Sequence, residues 1–209
     1  MPKTKPFDKY LTEYEEWFIQ NSSVYFSELK AITEISVVPE NAVEVGVGSG
    51  LFAEPLGIKT GIEPSKAMRE KAKERGIHVI DGVAEYLPWK DNSIDYVLMV
   101  TTICFVDDVK KSLNEVHRVL QNSGDFIIAF VDKNSPMGLL YQKNKEESLF
   151  YKDAAFFSTE ELYEYLKEAG FSIKNTKQTV FGLLNEVVKV QEPREGYGEG
   201  SFVVIRAVK

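Results

Sequence analysis

Apolar positions change their period along this chain, and the change divides it into regions. From Phe7 they recur at Tyr10, Leu11, Tyr14, Trp17 and Phe18, the three-and-four spacing of a helix with one face toward a core. A second helix is predicted after Ser22 and Ser23, either of which suits an N-cap, with Tyr25, Leu29 and Ile32 on one side. Pro39 ends this region, a helical cap assigned to residues 1–38. Beyond it short β-rich runs alternate with helical ones, and strands are predicted at residues 42–47, 60–63, 78–81, 95–101 and 125–132. Between the fourth and fifth, VKKSLNEVHRVL carries an apolar stripe at Val109, Leu113, Val116 and Leu120, and Asn122 and Gly124 sit where a helix stops.

A later helix is marked at its start by Ser158 and Glu161, a capping box, with Phe157 placed to staple against Leu162 and Gly170 at its close. Two final extended runs, residues 172–181 and 201–208, flank QEPREGYGEG, which is polar and turn-rich and reads as a loop. These runs are predicted to form a terminal hairpin. Alternating strands and helices signal an α/β fold with a parallel sheet covered by helices. The expectation is a Rossmann-like, doubly wound, mostly parallel seven-stranded sheet with an antiparallel terminal hairpin and an N-terminal helical cap. A single domain is expected over residues 1–209, with a core at 39–132 and a substrate-side insert, late helix and hairpin at 133–209.

Composition narrows this picture. A chain of 209 residues with 44% hydrophobic content is long enough to bury roughly 70% of its unfolded surface around one core. The longest apolar runs, such as FIIAFV, fall far short of the roughly 20 residues that cross a bilayer, so no membrane association is expected. The opening MPKTKPFDKY lacks the apolar stretch of a secretory signal, and a cytoplasmic location is expected. Cys104 is the only cysteine, which rules out an intramolecular disulfide and a thiolate metal site; no metal is expected. Acidic residues outnumber basic ones by 32 to 25, a formal charge of −7 that repels a phosphate backbone. Lys71, Lys73 and Arg75 alternate with Glu70 and Glu74, the look of a solvated helix face, so nucleic acid is not expected as a partner.

Candidate chemistry concentrates in AVEVGVGSG, where Gly46, Gly48 and Gly50 stand at alternate positions just after an apolar strand. Glycines there let backbone approach a ligand that a Cβ would obstruct. Seventeen residues after Gly46 comes Glu63, at the end of the next strand, near the spacing at which an acid meets ribose hydroxyls in doubly wound folds. A dinucleotide fingerprint wants Gly or Ala at the sixth position, and this chain has Leu51. The pattern suits instead a cofactor without phosphates whose amino-acid end lies over the turn, with Glu44 supplying negative charge toward an ammonium group.

The segments EVGVGSG, GIEPS, DGVAEYLPW, SIDYVLMV and EVHRVLQNSGDFIIAF stand in the order and spacing of class I S-adenosylmethionine-dependent methyltransferases. The chain resembles that family, in its small-molecule, methyltransferase-11-like type, closely over about residues 42–131. YEEWF looks like the N-terminal helix of small-molecule members, and FFSTEELYEYLKEAGF like their late helix. The resemblance implies S-adenosylmethionine as cofactor and S-adenosylhomocysteine as product. It implies that Gly46, Gly48 and Gly50 line the methionyl portion, that Glu44 helps orient its amino group, and that Glu63 binds the ribose. The adenine would lie near Gly82, Val83, Ala84 and Glu85, with Met68 packed on its face; Thr101 would border the sulfonium and Tyr14 would join from the cap. Relatives often carry Asp where this chain has Val83, and Asp81 and Glu85 are the neighbouring carboxylates.

No catalytic residue is assigned. An NPPY-like tetrapeptide, which holds a flipped base in amino-methylating DNA enzymes of this fold, is replaced after the fourth strand by TTIC. The N-terminal helices, residues 133–156 and the loop at 182–200 are expected to converge beside the carboxyl ends of the strands, as a lid over a small-molecule acceptor. Methyl transfer to nitrogen or oxygen of such an acceptor is the expectation, and the acidic charge favours a cationic amine. The alternative is a regulatory or scaffold protein that binds the same cofactor without turnover.

Overall fold

The computed structural model describes residues 2–209. Its helical opening comprises α1 (Lys5–Lys9), α2 (Leu11–Gln20) and α3 (Ser22–Ile35). Neither Ser22 nor Ser23 caps α3. Asn21 holds the capping position, and its side-chain amide donates back to the Trp17 carbonyl at 2.9 Å, closing α2 instead.

The alternating region follows as β1 (Ala42–Val45), α4 (Ala53–Leu56), β2 (Thr60–Ile62), α5 (Lys66–Glu74), β3 (His78–Ile80), β4 (Ile94–Val100), α6 (Val109–Val119) and β5 (Leu120–Val131). Then come α7 (Pro136–Lys143), α8 (Thr159–Glu168), β6 (Ser172–Thr179), β7 (Arg194–Glu195) and β8 (Phe202–Val208). The capping box of α8 is formed, with Ser158 Oγ accepting from the Glu161 amide at 3.3 Å and Glu161 Oε2 from the Ser158 amide at 2.8 Å. Phe157 packs on the core cluster that contains Leu162.

Among the described residues eight strands make one sheet, ordered β3-β2-β1-β4-β5-β8-β6-β7. The first five run parallel, and β8 is antiparallel to both β5 and β6. The additional strand is β7, inside the segment expected to be loop. Arg194 and Glu195 pair with Gln178 and Lys177 along the edge of β6, and Lys177 holds Glu195 at 3.2 Å; an open edge recruits polar chain that carries no β-pattern of its own. The other departure is at β5. The helix ends at Val119 and Leu120 already pairs with Ile94, so the stretch expected to break the helix is a strand with an irregular register.

Both faces of the sheet are covered, which is why its central strands read as nearly continuous apolar runs. On β4, Val97 and Met99 face a cluster built with Leu113 and Val116 of α6 and Leu162 and Leu166 of α8. Tyr96, Leu98 and Val100 face the other cluster, with Ala31 and Ile32 of α3 and Ala72 of α5. The strand order reverses at β1, between β2 and β4, and at such a switch the crossovers leave on opposite faces and open a crevice at the carboxyl ends of the strands.

Candidate active site

At that crevice β1 gives way to the glycine turn. Gly46 has φ +70°, a left-handed conformation, and a Cβ there would sit 2.3 Å from the Thr102 side chain. Thr102 in turn donates to the Val100 carbonyl at 3.0 Å and the Gly46 carbonyl at 3.3 Å. This glycine therefore lets the turns after β1 and β4 close on each other. At Gly48, φ +54°, a Cβ would meet only the Tyr14 hydroxyl, at 3.4 Å; a side chain here would grow into the crevice. Gly50 has another reason, since its Cβ would strike Ile77 at 2.5 Å.

Glu63 follows the end of β2 and is 8% exposed. Its Oε2 accepts from the Gly48 amide at 3.0 Å and its Oε1 from the Ser65 amide at 2.8 Å. Each carboxylate oxygen retains a lone pair beyond these bonds. Burial pushes its pKa up to about 7, against the two amide bonds and Arg69, which favour the charged form. Glu44 is 1% exposed, accepts from the Ala53 amide, and is held protonated by burial well above the carboxylate range. Its Oε2 has no partner among the described residues.

A cavity of about 900 Å³ opens over these groups. Tyr14, Gly46, Gly48, Glu63 and Met68 line it, as do Gly82, Val83, Ala84, Glu85 and Thr101. Glu44 and Gly50 stand behind this lining, Glu44 turned toward the start of α4 and Gly50 against Ile77. Thr101 lies past the end of β4 with φ +45°, a strained backbone for a β-branched residue and one that tends to occur at functional sites. The carboxylates near Val83 are committed elsewhere. Asp81 is ion-paired with Arg69 at 2.9 Å, while Glu85 Oε1 accepts from the amides of Asp107 and Asp108 at 2.7 and 3.1 Å and braces the turn before α6.

Several groups at the site had no reading in the sequence. Glu15 of α2 forms an ion pair with Arg75 at 2.5 Å and accepts a bond from the Ser49 hydroxyl, while Arg75 donates to the Ser49 carbonyl at 2.7 Å. This latch ties the cap to the glycine turn. Across the cavity the insert supplies Phe150, stacked on Phe7 at 5.6 Å, and Tyr151, stacked on Tyr141 at 5.0 Å and on Phe105 at 5.9 Å. Glu28 of α3 also lines the cavity, 7% exposed, and burial pushes its pKa up to about 8. One sign of it was legible. Glu28 falls four residues after Val24 and four before Ile32, on the stripe that α3 turns inward.

The cavity's lining satisfies what an adenosyl cofactor asks of it: a buried carboxylate with free lone pairs beside a turn whose missing side chain leaves room. Residues 43–128 match the family described as methyltransferase domain. Over 98% of both chains, with a TM-score of 0.94 and 49% identity, the structure is similar to a crystal structure from Thermotoga maritima described as an S-adenosylmethionine-dependent methyltransferase, possible histamine N-methyltransferase. An uncharacterized protein of Methanocaldococcus jannaschii is 44% identical over 97% of this chain and 98% of its own. A ubiquinone/menaquinone biosynthesis C-methyltransferase of Campylobacter jejuni is 29% identical over 77% of this chain and 78% of its own.

Proposed function

The chain belongs to the class I S-adenosylmethionine-dependent methyltransferases, and from that premise we propose that it transfers the methyl group to nitrogen or oxygen of a small molecule held in the 900 Å³ cavity. It is an enzyme, and S-adenosylmethionine is its cofactor. The bound cofactor supplies a sulfonium that makes its methyl group electrophilic. What the protein adds is position: reacting atoms held about 3 Å apart and in line convert a bimolecular encounter into an intramolecular one.

In this reading Glu63 accepts the ribose hydroxyls through its free lone pairs. Gly46 and Gly48 give the methionyl portion its room, with Glu44 acting from behind the turn. Met68 packs on the adenine while Val83 and Ala84 meet its edge, and Glu85 holds the neighbouring turn in place. Thr101 borders the reacting centre, and Tyr14 closes it from the cap.

The observation that carries the small-molecule reading is enclosure. Phe7, Tyr14, Phe105, Phe150 and Tyr151 line the same cavity as Glu63 and pack ring against ring, leaving space for a compact acceptor within the usual range of about 300–1,000 Å³ for small-molecule sites. The formal net charge of −7 disfavours a polyanionic acceptor, and the description of the Thermotoga protein as a possible histamine N-methyltransferase supports nitrogen as the acceptor atom. The Campylobacter relative supports carbon instead. Incubating the protein with methyl-labelled cofactor and a fractionated metabolite extract tests both. Label on nitrogen or oxygen of a small metabolite is expected; label only on carbon, or only on bulk RNA, overturns the proposal.

A further inference from the structure

Six acidic residues border the cavity, and four of them, Glu28, Glu63, Glu85 and Asp108, differ in what holds them. Glu63 takes two backbone amides, Glu85 two more, and Asp108 caps α6 by accepting from the Lys111 amide at 3.0 Å. Glu28 has none of this. It enters from the inward stripe of α3, is more than nine-tenths buried, and opens onto the cavity with no hydrogen-bond donor and no cation paired to it among the described residues. A buried carboxyl without a partner is costly in its ionised form, and selection of so poor a core residue asks for a ligand.

Its surroundings indicate which. Tyr14, Tyr141 and Tyr151 line the same cavity; burial keeps their hydroxyls protonated, and Glu28 is the one charged group that adds to this at Tyr141, while it follows Glu63, Glu44 and Glu15 at Tyr14 and follows Tyr141 and Cys104 at Tyr151. The Tyr14 ring meets Phe150 edge-on at 5.9 Å, and the Tyr141–Tyr151 stack continues onto Phe105. One carboxylate inside a wall of aromatic faces is a site for a desolvated ammonium, which the rings attract by their quadrupoles and the carboxylate by its charge. Of the lysines at the cavity, Lys111 lies over the Tyr86 ring at 3.4 Å.

We propose that Glu28 is the acceptor-recognition carboxylate of this enzyme, and that its acceptor is a small cationic amine docked against Glu28 between the rings of Tyr14, Tyr141 and Tyr151. This deepens the reading of the preceding subsection and rests on it. Glu28 acts as a specificity residue, selecting charge, whereas Glu63 serves the cofactor.

The test uses the full chain saturated with S-adenosylhomocysteine and two pairs of probes, choline with its uncharged carbon isostere and phenethylamine with phenethyl alcohol, titrated by calorimetry. At least one cation is expected to bind about tenfold or more tightly than its neutral counterpart, and Glu28→Gln to abolish that preference. Affinity for S-adenosylhomocysteine should stay within about twofold in the variant, which also reports that it folds, and Glu28→Asp should keep part of the preference. Equal binding within both pairs, or a preference that survives Glu28→Gln, overturns the assignment and leaves methyl transfer standing. Failure of the unaltered protein to bind S-adenosylhomocysteine at all would instead overturn the methyl-transfer reading beneath it.

Discussion

Glu63 and Glu28 line one cavity, are buried to nearly the same degree, and are treated by the fold in opposite ways. Glu63 sits at the end of a strand, where the amides of Gly48 and Ser65 point at it. Glu28 sits in the middle of a helix, whose own amides are consumed by the helix, and no donor supports its carboxyl among the described residues. The first carboxylate is preorganised for a neutral partner that donates hydrogen bonds, since its charge is already supported. The second lacks support and gains it only from a ligand that carries positive charge. On the proposed assignments, the cofactor half of the cavity is built from backbone and is complete on its own, while the acceptor half is built from side chains of the cap and insert and is completed by what it binds.

Replacing Glu63 attacks the first half directly and carries the largest expected effect. Glu63→Ala should weaken S-adenosylhomocysteine by roughly a hundredfold, as hydrogen bonds to a charged group are worth about 1.5–3 kcal/mol each; unchanged affinity in calorimetry would remove the basis for the cofactor site. Next comes the backbone that supports it. Gly46→Ala meets Thr102 at 2.3 Å with φ +70°, whereas Gly57→Ala, with φ +74°, meets nothing within 4 Å. The first should destabilise by roughly 2–3 kcal/mol and the second by about 1 kcal/mol, and equal losses in urea unfolding would mean that the two turns do not press together.

Acidity separates the halves in a third way. Folded Glu28 keeps its proton up to about pH 8, while an unfolded glutamate loses it near pH 4.5. The folded state therefore binds more protons in this window, so the contribution to stability is full below pH 4.5 and is lost as pH rises through 8. Relative to Glu28→Gln, the ligand-free protein should lose at least about 1 kcal/mol of stability between pH 5 and pH 9. A difference between the two urea curves that does not vary with pH would show that Glu28 is solvated. The smallest effect belongs to the latch joining the halves. Glu15→Gln should raise amide exchange in α1 and α2 and weaken S-adenosylhomocysteine about threefold, in keeping with a partly buried ion pair; unaltered exchange would detach the cap from the glycine turn.

Much of the cofactor half was legible in the chain because its signals are local. Three glycines follow an apolar strand and an acid ends the next one, and the nearly continuous apolar runs of β4 and β8 are what a sheet covered on both faces requires. The reasons for the glycines were less legible, since Gly46 and Gly50 clear Thr102 and Ile77, neighbours that only the fold brings near. The edge strand β7 and the early start of β5 escaped for a related reason: Arg194 and Glu195 pair because the edge of β6 lies beside them, and Leu120 pairs because α6 delivers it beside Ile94 of β4, and a neighbouring strand leaves no mark on the segment that joins it. Glu28 marked the inward stripe of α3 with a charge, yet two of the three rings that give it meaning, Tyr141 and Tyr151, come from more than 100 positions away.

By itself the sequence determined the class of fold and the family, and it singled out the strand-to-helix turn proposed to hold the cofactor, because periodicity and backbone freedom are properties of neighbours along the chain. Only the tertiary structure decided that one buried carboxylate would be satisfied and another left waiting. Burial and hydrogen bonding depend on which distant groups arrive at a point in space, and the same Glu is a solvated surface residue or a ligand-binding group according to that arrival.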